Sequence, residues 1–270
     1  NLGAVIGNEI CEKYNIPGYI ADPVTVDELD DIARISGLEG ITRRSIWHAL
    51  NQKHIARKAS QKIGKEYEDA NLIVIHMGGG ISVGAHKNGK CIDVNNALNG
   101  EGPFSSERAG TLPSLALVDL CFSGEYTYAE MKKLLAGRGG MVSHLGTNNA
   151  KDVEDRSEAG EAEPKKIMNA LIYQLAKEIG RMSTVLKGKV DAIVFTLTPV
   201  QVPPVGEYPP KRIAASLIQT TSSTPALILG GLLTVTVLVE VFKQVPVPKV
   251  HIIVCEPTPT VAGSNIPTIG

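Results

Sequence analysis

The sequence has no excess of either charge: 27 Lys and Arg stand against 28 Asp and Glu, a formal net charge of −1. Nucleic-acid and membrane-surface binders ordinarily carry a marked basic excess, so the balance points to a small partner. Cysteine is scarce and scattered. Cys11, Cys91, Cys121 and Cys255 form no CxxC pair, which argues against a disulfide framework and a structural zinc site and suits a reducing, cytoplasmic compartment. The chain opens Asn1-Leu-Gly-Ala-Val-Ile-Gly without Met, a basic n-region or an apolar h-region, so no secretory signal is expected in this stretch and a start within a gene is the expectation. Long apolar runs are also missing. Residues 213–239 carry no charge but are broken by Gln219-Thr-Thr-Ser-Ser-Thr-Pro225, and only Ala226 to Val239 is mostly apolar. That is shorter than the ~20 residues a membrane helix needs, and reads as buried strand and loop or as a poorly folded tail.

What is present is 270 residues, 43% hydrophobic and 20% charged, enough for one large or two modest domains and unlike a disordered or fibrous chain. The composition is not uniform. Residues 199–270 hold 11 of the 16 prolines but only 7 of the 55 charged side chains.

From Asn1 to Thr196 strand-like and helix-like patterns alternate, the mark of an α/β domain. Ile16 to Asp22 reads as a short strand whose end delivers a carboxylate, and Ser45 to Glu68 as a helix. Leu72-Ile-Val-Ile-His76 is a buried-strand run. Met77-Gly-Gly-Gly80, a strand from Ile81 to His86, a Lys87-Asn-Gly-Lys90 turn and a strand from Cys91 to Val94 follow, and the Asn-Gly pair makes the last two a hairpin. Thr127-Tyr-Ala-Glu130 is a capping box opening a helix. Ile167, Leu171, Leu175, Ile179, Met182 and Leu186 recur along one helical face, and Val190 to Thr196 is another buried strand. There is no internal repeat.

The strongest chemical signal is His76-Met-Gly-Gly-Gly-Ile-Ser82. Three glycines after a buried strand let backbone N–H groups approach an anion unobstructed, although a plain tight turn is the commoner use of such a triplet. The Gly-Lys-Ser/Thr ending of a P-loop is absent, and the glycines enter a hairpin where a dinucleotide fingerprint would enter a helix. Strand, glycine turn, strand, Asn-Gly turn, strand is instead how the actin-like ATPase architecture grips nucleotide phosphates. A second glycine-rich loop, Asn99 to Gly110, carries Arg108, either a fork of donors for phosphoryl oxygens or an ordinary surface arginine. Asp22 before Pro23 is either an oxygen ligand that orients Mg²⁺ through water or an Asp-Pro turn. His48 and His76 are either donors to phosphate or carboxylate oxygens or satisfied half-buried histidines. His54, His86, His144 and His251 lack metal-ligand spacing and are given no role.

Ala21-Asp-Pro-Val24, Ala33-Arg-Ile-Ser-Gly37, Arg44-Ser-Ile-Trp-His-Ala-Leu-Asn-Gln52, His76-Met-Gly-Gly-Gly-Ile-Ser-Val-Gly-Ala-His86, Ile92-Asp-Val-Asn-Asn-Ala-Leu98, Gly100-Glu-Gly-Pro-Phe-Ser105, Cys121-Phe-Ser-Gly124 and His144-Leu-Gly-Thr-Asn148 occur together and in order. In this the chain resembles the butyrate kinases within the acetate kinase family of acyl kinases, over roughly residues 1–196. The resemblance implies an actin-like (ribonuclease-H-like) two-domain α/β kinase fold, ATP and Mg²⁺, a homodimer or larger homo-oligomer, and no nucleic-acid or membrane partner. The implied reaction is reversible, direct in-line phosphorylation of butyrate or a short branched-chain acid, without a phosphoenzyme. Carried over by position, the phosphate loop falls on His76 to Ser82 with Gly78, Gly79, Gly80 and Ser82 as nucleotide contacts. The transition-state arginine falls on Arg108, the acidic catalytic and Mg²⁺ residue on Asp22, and a histidine near the transferring phosphate on His48. Arg108-Ala-Gly110 stands where the acetate kinases have Arg-Ser-Gly.

Two parts of the family pattern are absent: an opening Asn-x-Gly-Ser-x-Ser phosphate turn, and the Gly-Gly adenosine loop after the strand ending at Thr196. In place of the latter stands Leu197-Thr-Pro-Val-Gln-Val-Pro-Pro204, whose prolines do not suit a strand, turn and helix. The expected organisation is a remnant of the first domain at 1–69, the second-domain core at 70–196, and a divergent tail at 197–270 arising from a frameshift, a chimera or an annotation error, with a family variant of truly different ending as the alternative. Little or no turnover is expected of these residues alone, and a non-catalytic actin-like binding or scaffold fragment is the alternative.

Overall fold

The computed structural model describes residues 2–197 together with the strands 233–238 and 250–257. Helix α1 (Leu2–Tyr14) and the short α2 (Asp31–Arg34) precede α3 (Ala49–Lys62), which leads through a 3₁₀ turn at Tyr67–Asp69 into strands β1 (Leu72–Met77), β2 (Ile81–Lys87) and β3 (Lys90–Val94). Helices α4 (Ser114–Phe122), α5 (Tyr128–Leu135), α6 (Gly140–Leu145), α7 (Ala150–Glu158) and α8 (Ala162–Val185) follow, then β4 (Ala192–Leu197), β5 (Leu233–Leu238) and β6 (Val250–Pro257). The six strands form one mixed sheet in the order β3-β2-β1-β4-β6-β5. The β1–β2 and β2–β3 pairs are antiparallel, β1–β4 is parallel, and β6 pairs antiparallel with both β4 and β5. Among the described residues no helix is long and apolar enough to cross a membrane.

Alternation along the strands divides the core in two. Ile73 and Ile75 of β1 and Ile81, Val83 and Ala85 of β2 face a helical layer built on α8, whose Ile167, Leu171, Leu175 and Met182 are buried against them. Leu72 and Val74, with Ala192 and Val194 of β4, face the opposite way onto Ile55, Ala56 and Ala59 of α3. This follows from the period of two in a strand set against that of 3.6 in a helix. The β2–β3 turn has Asn88 at φ 51° and Gly89 at φ 72°, the two left-handed residues that a tight hairpin between right-twisting strands requires.

Two expectations need correction. Residues 16–22 form no strand; the segment is irregular and Asp22 has φ 39°. The helix expected from Ser45 to Glu68 spans only Ala49–Lys62. Ser45 Oγ and Trp47 Nε1 both donate to the Val26 carbonyl, at 2.6 and 2.9 Å, which anchors 45–47 against the preceding segment and delays the helix. At the other end Gly64, with φ 72°, takes the chain out of the helix. The capping box stands as expected, Thr127 and Glu130 each accepting from the other's backbone N–H. Of the apolar stretch 226–239, Leu233–Leu238 is described, as the sheet's outer strand β5; the proline-rich stretch after Leu197 lies outside the described residues.

Candidate active site

The face that β1, β2 and β4 turn toward α3 is apolar at one end and polar at the other. Moving along β1 it runs Leu72, Val74, His76, and along the parallel β4 Ala192, Val194, Thr196. Helix α3 matches it: Ile55, Ala56 and Ala59 cover the apolar end, while its first turn brings His48, Asn51 and Gln52 over the polar end. Asn51 Oδ1 lies 3.0 Å from both His76 Nδ1 and the Thr196 hydroxyl. His48, at the start of the helix, makes no side-chain cap. Its Nδ1 is 2.8 Å from the Ser82 hydroxyl, and its ring stacks on His76 with centroids 3.7 Å apart and planes 14° from parallel. Two stacked, largely enclosed imidazoles are poor hosts for a proton. Burial and then the neighbouring Arg108 charge hold His48 down to about 4, and burial and then His48 hold His76 down to about 3.

The glycine turn lies against the loop that carries Arg108. Ser105 Oγ donates to the Gly79 carbonyl at 2.6 Å, and the loop is braced from behind by Met141 N–H donating to Ser105 O and Gly137 N–H donating to Glu107 O. A Cβ on Gly80 would stand 3.1 Å from the Ala97 carbonyl and 3.3 Å from Arg108 Nε, so glycine there lets the guanidinium close on the turn. Arg108 Nε and Nη1 are fully buried and have no hydrogen-bond partner among the described residues. Leaving a buried polar group unpaired costs on the order of 1–3 kcal/mol, more when it is charged. Two unpartnered donors of a cation beside a backbone turn stripped of side chains are the complement of an anion.

The structure therefore brings together His48, His76, Gly80, Ser82 and Arg108, with Gly78 and Gly79 in the same turn. It does not bring Asp22 to them. The Asp22 carboxylate pairs with Lys53 at 3.4 Å and Arg57 at 4.0 Å, Lys53 being shared with Glu28, and no recorded contact joins it to the histidine and arginine group. With two cations on its one carboxylate, Asp22 in this arrangement does not fit a Mg²⁺ site, and no described group of three or more His, Cys, Asp or Glu residues could hold a metal. Asn51, Gln52, Ser105 and Thr196 were not singled out from the sequence. The signal for the first two was available: 48, 51 and 52 continue the buried face of 55, 56 and 59 by one turn, and polar residues on a buried helical stripe need partners.

A mixed α/β sheet built on the β1–β2–β3 hairpins places the protein in the actin-like fold class. Within it, the chain belongs to the acetate kinase (acetokinase) family, which it matches over residues 35–199. Solved structures agree on the fold. The Porphyromonas gingivalis acetate kinase shares 22% identity with a TM-score of 0.60, over 69% of this chain and 49% of that one. A propionate kinase from Francisella tularensis shares 19% at 0.60, over 70% and 51%. The Entamoeba histolytica acetate kinase shares 21% at 0.61, over 70% and 52%. The chain thus spans about half the length of the structures it matches.

Proposed function

We propose that these residues are the phosphate-gripping part of an acyl kinase that transfers the γ-phosphoryl group of ATP to butyrate or a short branched-chain carboxylate. The observation that carries the reading is Arg108 against Gly80, with its Nε and Nη1 buried and no hydrogen-bond partner for either among the described residues. In this reading Gly78, Gly79, Gly80 and Ser82 line the nucleotide phosphates, and Arg108 supplies donors and charge to the equatorial oxygens of the moving group. Transfer is direct: a carboxylate oxygen attacks phosphorus and the ADP oxygen leaves. Such a reaction asks the protein for positioning and electrostatics more than for covalent chemistry. His48, neutral at physiological pH, acts as a hydrogen-bond donor to phosphoryl or carboxylate oxygens, while neutral His76, whose one proton faces Asn51 Oδ1, supports the His48 ring by stacking. Mg²⁺, which keeps company with nucleotide phosphates, would offset their charge when it arrives with ATP; no step here is assigned to Asp22. The wording of residues 44–52 and 76–86 supports butyrate over acetate. Residues 1–69 and 70–196 are read as parts of the two kinase domains, and the functional assembly as a homodimer or larger.

The test is nucleotide titration. Micromolar Mg·ATP binding that is lost in Arg108→Ala and Gly79→Val supports the reading. A folded protein indifferent to ATP refutes it and favours a non-catalytic binding or scaffold fragment. Turnover by the 270-residue chain alone is expected to be slight.

A further inference from the structure

Behind His48 a line of buried polar groups runs the length of β2, and apart from Ser82 nothing said so far about phosphate binding uses it. Tyr67 OH lies 2.7 Å from His86 Nδ1, and His86 Nε2 lies 3.0 Å from Gln52 Oε1. Gln52 Nε2 reaches the Ser82 carbonyl at 3.0 Å and the Ser82 hydroxyl at 2.7 Å, and that hydroxyl meets His48 Nδ1 at 2.8 Å. Gln52, Ser82 and His86 are wholly buried. The bridge is possible because residue 84, between Ser82 and His86 on the same face, is glycine. A Cβ there would stand 2.5 Å from Gln52 Oε1 and 3.2 Å from His86 Nε2.

Every proton in this line is assigned by elimination. The Ser82 carbonyl can only accept, so the Gln52 amide nitrogen must face it and Oε1 must face His86. Oε1 can only accept, so His86 donates from Nε2; neutral His86 then accepts at Nδ1 from the Tyr67 hydroxyl. Toward the site, the Ser82 oxygen accepts from Gln52. Among the described residues no acceptor other than His48 Nδ1 is recorded for the Ser82 hydroxyl proton, and leaving it unpaired in a buried position would be costly. His48 Nδ1 is therefore an acceptor, and its proton sits on Nε2. We propose that Gln52 is a positioning residue which, through Ser82, holds His48 in the Nε2–H tautomer. This rests on the kinase reading only for the use made of that proton, a hydrogen bond offered to the phosphoryl group or carboxylate. His86, read from the sequence as having no role, is the far anchor of the line.

The test reads the tautomer directly. Long-range ¹H–¹⁵N correlation spectra of the ¹⁵N-labelled chain at neutral pH, with His48 assigned by His48→Gln, are expected to show Nδ1 unprotonated and Nε2 protonated. Ser82→Ala and Gln52→Leu should each bring the two His48 nitrogens toward mixed values, while Tyr67→Phe, which leaves the Gln52 bridge intact, should not. A wild-type His48 protonated at Nδ1, or one already mixed, overturns the proposal, and that arm needs no variant to fold. A His48 signal unmoved by both Ser82→Ala and Gln52→Leu overturns it as well. In a chain with measurable turnover, Gln52→Leu should lower kcat about 10- to 100-fold with little change in KM for ATP, the usual scale for losing a supporting hydrogen bond behind a functional histidine. If the wild-type chain shows the expected tautomer but binds no Mg·ATP, the kinase reading fails and the positioning role of Gln52 stands.

Discussion

Three histidines held without charge by burial make this fold acid-sensitive below neutral pH. His48 is held at about 4, and His76 and His86 at about 3, each chiefly by burial, against an ordinary 6.5. In the unfolded chain all three take up protons near the ordinary value. Between 6.5 and about 4 the unfolded state therefore binds more protons than the folded one, and stability falls as pH falls. The size depends on the unfolded value alone while the folded groups remain neutral. From pH 7 to pH 5.5 each histidine costs about 1.2 kcal/mol, and the three together about 4 kcal/mol, a large part of a typical domain's 5–15 kcal/mol. Glu178, whose carboxyl is raised by burial, works in the other direction and offsets part of this. The assay is urea unfolding at a series of pH values, followed through Trp47, the one tryptophan of the chain, which is 2% exposed. His48→Gln should reduce the pH-dependent loss by about a third. Stability unchanged between the two pH values, or a loss identical in wild type and His48→Gln, would refute the assignment of these rings as buried and neutral.

Arg43 ties the segment before α3 to the end of β3: its guanidinium meets Asp93 at 2.9 Å and Glu101 at 3.1 Å and donates to the Ala33 and Val94 carbonyls. Arg43→Ala should destabilise by about 3–5 kcal/mol, since Asp93 would be left buried without its cation, read as a lowered urea midpoint; a change under 1 kcal/mol (roughly) would show the network to be solvated. Thr127→Ala removes one half of the α5 capping box and should cost about 1 kcal/mol, with Thr127→Ser recovering most of it in the same thermal melts.

How much of this could be read from residues differs by element, and the reasons are physical. The β1–β2–β3 hairpins were legible because their signals are local: buried runs of period two, a glycine triplet, and an Asn-Gly pair whose left-handed angles leave no other turn. The start of α3 was not, because Ser45-Ile-Trp47 fits a helical pattern and is kept out of the helix by the Val26 carbonyl, a contact some twenty residues away in sequence. The strand expected at 16–22 fails for a related reason: a strand needs a neighbour to pair with, and among the described residues 16–22 has none; the Asp22 carboxylate pairs with Lys53 and Arg57. In the candidate site, the residues with an obvious charge or missing side chain, Arg108 and Gly78 to Gly80, announced themselves, whereas Asn51 and Gln52 entered only as part of the Arg44–Gln52 motif and were given no role of their own. Only the register of α3 over β1, β2 and β4 turns them inward. Once it does, burial decides their role: a buried amide must spend its donors and its acceptor on fixed partners, and on Gln52 those partners are the serine and histidine that set the proton on His48.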